Sequence, residues 1–102
     1  MTGVARLTDE VNTVHVENST LCTAPITIHT NTASTDVFVN SLQVHRLTDM
    51  NDPHGHCPAY YGTSLSEASP NVFVNGLGVG RINDHYDCGA MVITGSNNVF
   101  CN

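Results

Sequence analysis

The sequence predicts an all-β fold assembled from three degenerate hairpin units, and three observations carry that expectation. The composition favours strands and turns: Val, Thr and Asn are abundant, Lys and Trp are absent, and long charged helix formers are scarce. All three arginines sit in one pattern, Val4-Ala5-Arg6-Leu7-Thr8-Asp9, Val44-His45-Arg46-Leu47-Thr48-Asp49 and Val79-Gly80-Arg81-Ile82-Asn83-Asp84. All three phenylalanines sit in a second, Asp36-Val37-Phe38-Val39-Asn40, Asn71-Val72-Phe73-Val74-Asn75 and Asn98-Val99-Phe100-Cys101-Asn102. Matched frames of this kind are the mark of a repeat architecture.

Each Val-Phe-Val-Asn segment reads as a short strand. Ser41-Leu42 or Gly76-Leu77 follows as a turn, and Val-x-Arg-(Leu/Ile) as the return strand. Hairpins are therefore expected over Val37–Leu47 and Val72–Ile82. The Asp three residues after each Arg is expected to make a local ion pair or turn contact, with no catalytic role. The stretches Glu10–Thr35 and Met50–Ser69 read as loop-rich inserts. They hold Pro25, Pro53 and Pro58, with Pro70 at their edge, so no proline interrupts a hairpin. No helix is expected beyond a single turn within Thr63–Ala68.

A chain of 102 residues fits a single domain, 1–102, whose small core would gain from an extra staple. With a formal charge of −6 and three basic side chains, it cannot neutralise a run of phosphates. Nucleic acid and anionic membrane surfaces are poor binding partners on that ground. No apolar run is long enough to span a bilayer, and the N-terminal residues lack a signal-peptide core. A chain made in a reducing cytosol keeps its thiols, so Cys22, Cys57, Cys88 and Cys101 are expected to form no disulfide framework.

Four cysteines and six histidines point instead to metal. After Asp9 the first candidate ligand is His15. After Asp49 come His54, His56 and Cys57, and after Asp84 comes Cys88. If three units surround a common axis, equivalent loops meet at one end, and His15, His54 and Cys88 converge. Imidazole and thiolate suit zinc, which takes four tetrahedral ligands in a structural site. His56 is the nearest donor for the fourth place, with His45 and Cys57 as alternatives and iron as the alternative metal. His29 and His85 read as surface residues, His45 as structural, Cys101 as a packed core residue and Cys22 as a buried thiol.

Val72-Phe73-Val74-Asn75-Gly76, Val79-Gly80-Arg81-Ile82-Asn83-Asp84, Cys88-Gly89 and Gly95-Ser96-Asn97-Asn98-Val99-Phe100 together resemble the PAAR-repeat family. The resemblance implies a PAAR-like cone of short hairpins with zinc near its vertex, held by three His and one Cys. Its base would cap a trimeric β-helical spike in a phage tail or a type VI secretion system. His15, His54 and Cys88 match the family's ligand positions after each repeat Asp, and His56 stands in for the third His. The family's Gly before the Asp is Thr8, Thr48 and Asn83 here, so those turns are expected to be built differently.

The function so implied is a structural spike tip that sharpens and closes the spike for membrane piercing, and not an enzyme. One monomer is expected per spike trimer, with transient contact with the target membrane and any effector bound non-covalently. The virion, at a phage baseplate, is the expected location, with export through type VI secretion as the alternative. A zinc hydrolase would need an open metal position and a general base, for which Asp52 is the only carboxylate in the central cluster. A carbohydrate-binding β module would favour exposed aromatics, and the tyrosines are only Tyr60, Tyr61 and Tyr86.

Overall fold

Three residues, Ala5, His45 and Gly80, close a ring of backbone hydrogen bonds at the centre of the molecule. In the computed structural model, which describes residues 2–12, 27–53 and 62–102, the N–H of Ala5 donates to Gly80 O at 2.8 Å. That of Gly80 donates to His45 O at 2.8 Å, and that of His45 to Ala5 O at 3.0 Å. These are the middle residues of the three Val-x-Arg segments. The bridges Arg6 to Val44, Arg46 to Val79 and Arg81 to Val4 complete the triangle. The three units are thus joined about a pseudo-threefold axis, and the body is elongated, 43 × 23 × 22 Å.

On one side of the ring stand the hairpins. Strand β4 (Phe38–Val39) pairs with β5 (Leu42–Gln43), and β6 (Phe73–Val74) with β7 (Leu77–Gly78). These ladders are shorter than the sequence suggests, because each return strand leaves its hairpin at Val44 or Val79 to pair with another unit. The third hairpin is made from the two ends of the chain. Strand β1 (Thr2–Gly3) pairs with β9 (Phe100–Cys101), Thr2 facing Cys101 and Gly3 facing Phe100. Its register repeats that of Phe38 with Gln43 and Phe73 with Gly78. Three equivalent bonds fasten the hairpin bases, from Val44, Val79 and Val4 N–H to the carbonyls of Val37, Val72 and Val99, at 3.0, 3.0 and 3.1 Å.

On the other side each unit turns at its Asp and runs out and back. Strands β2 (Glu10–Asn12), β3 (Thr27–His29) and β8 (Met91–Val92) form a sheet in the order β3-β2-β8. Glu10–Thr35 therefore contains strands where the sequence suggested only loop. Ser64 and Leu65 form bridges to Met50 and Tyr86, and among the described residues there is no helix. The core has two parts. Ala5, Val11, Ile28, Leu65, Tyr86, Ala90 and Val92 pack beyond the ring. Val4, Val44, Val79 and Cys101 pack among the hairpins, with Val37, Val39 and Val74 against them.

Candidate functional site

Two ends of the body carry features that the repeat itself does not need. The first is the hairpin end. Residues of alternating direction along a strand face opposite sides, so Val37 and Val39 turn inward while Phe38 turns out. The same holds in the other two hairpins. The inward side chains are Val4, Val44 and Val79, then Val37, Val72 and Val99, then Val39, Val74 and Cys101. They line an apolar cavity of about 160 Å³. Cys101 thus holds the place of a valine, buried as expected, and burial pushes its thiol pKa up. Phe38, Phe73 and Phe100 are 56%, 59% and 49% exposed, three equivalent aromatics around one apolar opening.

Between the ends, each Arg and Asp form a clamp. Asp9 Oδ2 accepts the Arg6 backbone N–H at 2.7 Å and Nε at 3.0 Å, and Oδ1 accepts Nη2 at 3.0 Å. Arg46 with Asp49 and Arg81 with Asp84 repeat all three bonds. These bonds to Asp hold each guanidinium pKa above its ordinary value. The expectation of a local structural pair is met. Thr8, Thr48 and Asn83 take φ of 73°, 73° and 77°, and each following Asp N–H bonds the Arg carbonyl. Each turn is thus built on a left-handed residue that carries a side chain. The conformation costs about 1–2 kcal/mol for a side chain other than Gly.

The sequence reading missed a set of polar stitches. Ser34, Ser69 and Ser96 are buried, and each hydroxyl accepts the backbone N–H groups two and three residues on. Two of them also donate across to the next hairpin, Ser34 to Asn75 at 2.6 Å and Ser96 to Asn40 at 2.7 Å. Arg46 and Arg6 reach the same two asparagines, each at 3.1 Å. The signal was legible: Ser stands two residues before Asp or Asn and three before Val in every Phe frame.

The second end is where the outgoing strands stop. Cys88 stands in the turn Tyr86–Gly89, closed by the Gly89 N–H to Tyr86 O at 2.9 Å, with Gly89 at φ 93°. It packs half-buried against the core beyond the ring, with its sulfur 3.2 Å from Thr63 Oγ1. His15, His54, His56 and the alternative Cys57 lie outside the described residues, as does Cys22. Among the described residues no group of three or more His, Cys, Asp or Glu comes together for a metal. Asn12 pairs with both Thr27 and Met91, and Met91 lies three residues on from Cys88. The segment 54–61 rejoins the described chain at Gly62, next to Thr63.

His45 takes its structural reading. It is 0% exposed, with Nδ1 2.8 Å from Thr32 O and Nε2 2.8 Å from Tyr86 Oη. A carbonyl only accepts, so Nδ1 carries the proton and Nε2 accepts from the tyrosine. Both ring nitrogens are thereby committed, and His45 is no metal ligand in this arrangement. His29 and His85 are on the surface, beside Asp52 and Glu67.

Fold and sites define a pseudo-threefold β-hairpin repeat protein with an apolar end and a loop end. The PAAR motif matches residues 17–94, and the chain belongs to that family. Membership associates it with the spike tips of contractile injection systems, in phage tails or type VI secretion. A search of curated proteins finds no match.

Proposed function

We propose that the protein is a structural cap, one chain closing the end of a trimeric β-helical spike, with a zinc ion stapling the opposite tip. The observation that carries this reading is the hairpin end: three equivalent hairpins, three exposed phenylalanines and a valine-lined opening. A homotrimer presents a true threefold end, and a monomer can match it only if its own three edges are alike. An opening of that kind left in water would promote association, and docking buries it. The interface is mainly apolar and so changes little with salt.

The zinc ligands are His15, His54, His56 and Cys88, with iron as the alternative metal. Three imidazoles and a thiolate make a closed structural set, which staples loops and leaves no open position for hydrolysis. The protein on this reading is not an enzyme, and its place is the virion baseplate or the type VI apparatus.

Sedimentation of this chain mixed with its spike trimer, together with metal analysis, tests the proposal. One chain per trimer and one zinc per chain are expected. Three chains per trimer, or a stable homotrimer in isolation, would overturn the cap. Protein purified without chelator that carries neither zinc nor iron would overturn the staple.

A further inference from the structure

Asn51 and Thr63 break the repeat beside Cys88. The corresponding positions of the other two units are Val11 with Ile28 and Tyr86 with Ala90, all buried in the core. Here the pair is polar, and Asn51 is 1% exposed. Three bonds fix the two residues against each other. The Asn51 N–H donates to Thr63 O at 3.1 Å, the Thr63 N–H to Asn51 Oδ1 at 2.8 Å, and Asn51 Nδ2 to Thr63 Oγ1 at 3.0 Å. A buried amide in place of a valine costs free energy unless it is fully used.

The use lies in the hydroxyl. A threonine hydroxyl has one proton and two lone pairs. Asn51 occupies a lone pair from one side, and Cys88 Sγ stands 3.2 Å away on another. A metal-bound thiolate has lost its proton to solvent and can only accept. We infer that Thr63, held by Asn51, is a positioning residue that donates its hydroxyl proton to the Cys88 thiolate in the metal-loaded protein. The inference rests on the reading of Cys88 as a metal ligand. The bond aims the sulfur lone pairs and draws off part of their charge, as donors to metal ligands do elsewhere.

The test compares Thr63→Val and Thr63→Ser with the wild type. Zinc affinity is read by chelator competition, and the thiolate-to-metal charge-transfer band is read in the cobalt(II) form. Thr63→Val is expected to weaken zinc about 10–100-fold and to shift the band, and Thr63→Ser to restore both. A valine variant with wild-type affinity and an unshifted band overturns this inference and leaves the metal site standing. A wild-type protein that binds neither zinc nor cobalt overturns both. A measurement on the wild type stands apart from any folding defect of the valine variant. In the cadmium form, the Thr63 hydroxyl proton is expected to be protected from solvent exchange and close to the Cys88 β-protons. A freely exchanging hydroxyl overturns the inference.

Discussion

Tyr86 Oη donates to His45 Nε2 at 2.8 Å, the rings 5.8 Å apart and tilted by 46°, so that a buried histidine of the central ring is held neutral. Burial pushes the His45 pKa below its ordinary 6.5, outweighing the Thr32 carbonyl and the Asp49 and Asp9 charges that favour the cation. The unfolded chain therefore takes up this proton first as pH falls. The stabilising contribution is complete above about pH 6.5 and is lost as pH drops from there toward the folded value. The wild-type melting temperature is expected to fall between pH 6.5 and 5, and His45→Gln to fall less steeply. Thermal melts of both across that range check it, the difference in slope isolating His45 from the other histidines. Equal slopes would contradict the assignment.

Gly80 is the ring position with no room for a side chain. A Cβ there would lie 2.9 Å from Leu65 Cδ2 and 3.0 Å from His45 O. Gly80→Ala is expected to destabilise by about 1–3 kcal/mol, since a carbonyl of the ring cannot move aside without opening it. Gly76→Ala meets nothing within 4 Å and suffers only its φ of 78°, a cost of about 1–2 kcal/mol. Urea denaturation of the two variants measures the costs, and broadened amide signals at Ala5 and His45 should accompany the first alone.

Thr48 and Ser41 are strained in the opposite sense, holding φ of 73° and 66° with side chains. Asn75-Gly76 shows what Asn40-Ser41 could be, since Asn-Gly is the favoured two-residue hairpin turn. Ser41→Gly and Thr48→Gly are each expected to stabilise by about 0.5–1 kcal/mol, after the entropy that glycine adds to the unfolded chain. Denaturation midpoints read the gain, and a loss in both would mean the side chains do more than occupy the turn.

The pairing of Thr2 with Cys101 repeats that of Leu42 with Val39, which two residues join. Joining Asn102 to residue 1 would likewise put two residues, in number, between Cys101 and Thr2. Joining Asn102 to residue 1, with Met1→Gly to supply an Asn-Gly turn, is expected to give a folded cyclic protein. Its unfolded state loses chain entropy worth on the order of a few kcal/mol. Melting of cyclic and linear forms compares them. A cyclic form less stable than the linear one would show the register to be wrong.

The hairpins and the Arg–Asp clamps were legible because each depends on neighbours in the chain, and the Arg and Phe frames display those neighbours three times. The triangle of Ala5, His45 and Gly80 was not, because its bonds run between backbone groups and leave no mark on residue type except the small size of Ala5 and Gly80. The left-handed turns at Thr8, Thr48 and Asn83 were not legible for a related reason. Residue type gives a turn's preferred conformation, and here the clamp holds the turn against that preference. Of the candidate metal ligands, the position of Cys88 at the loop end followed from its place after the repeat Asp. Asn51 and Thr63 were hidden, since they are ordinary loop residues until the repeat is aligned through the bridges and seen to demand apolar side chains there.

The pairing of Thr2–Gly3 with Phe100–Cys101 bears on how the protein is made. A tandem repeat can ordinarily begin folding on the ribosome, each unit settling on the one before it. Here strand β1 has no partner until Phe100–Cys101 has emerged, and the central ring stays open until Gly80 has been translated. The nascent protein must carry its valine-rich hairpins unprotected until Phe100–Cys101 has followed them. It then closes in one cooperative step dominated by distant contacts, the slow kind.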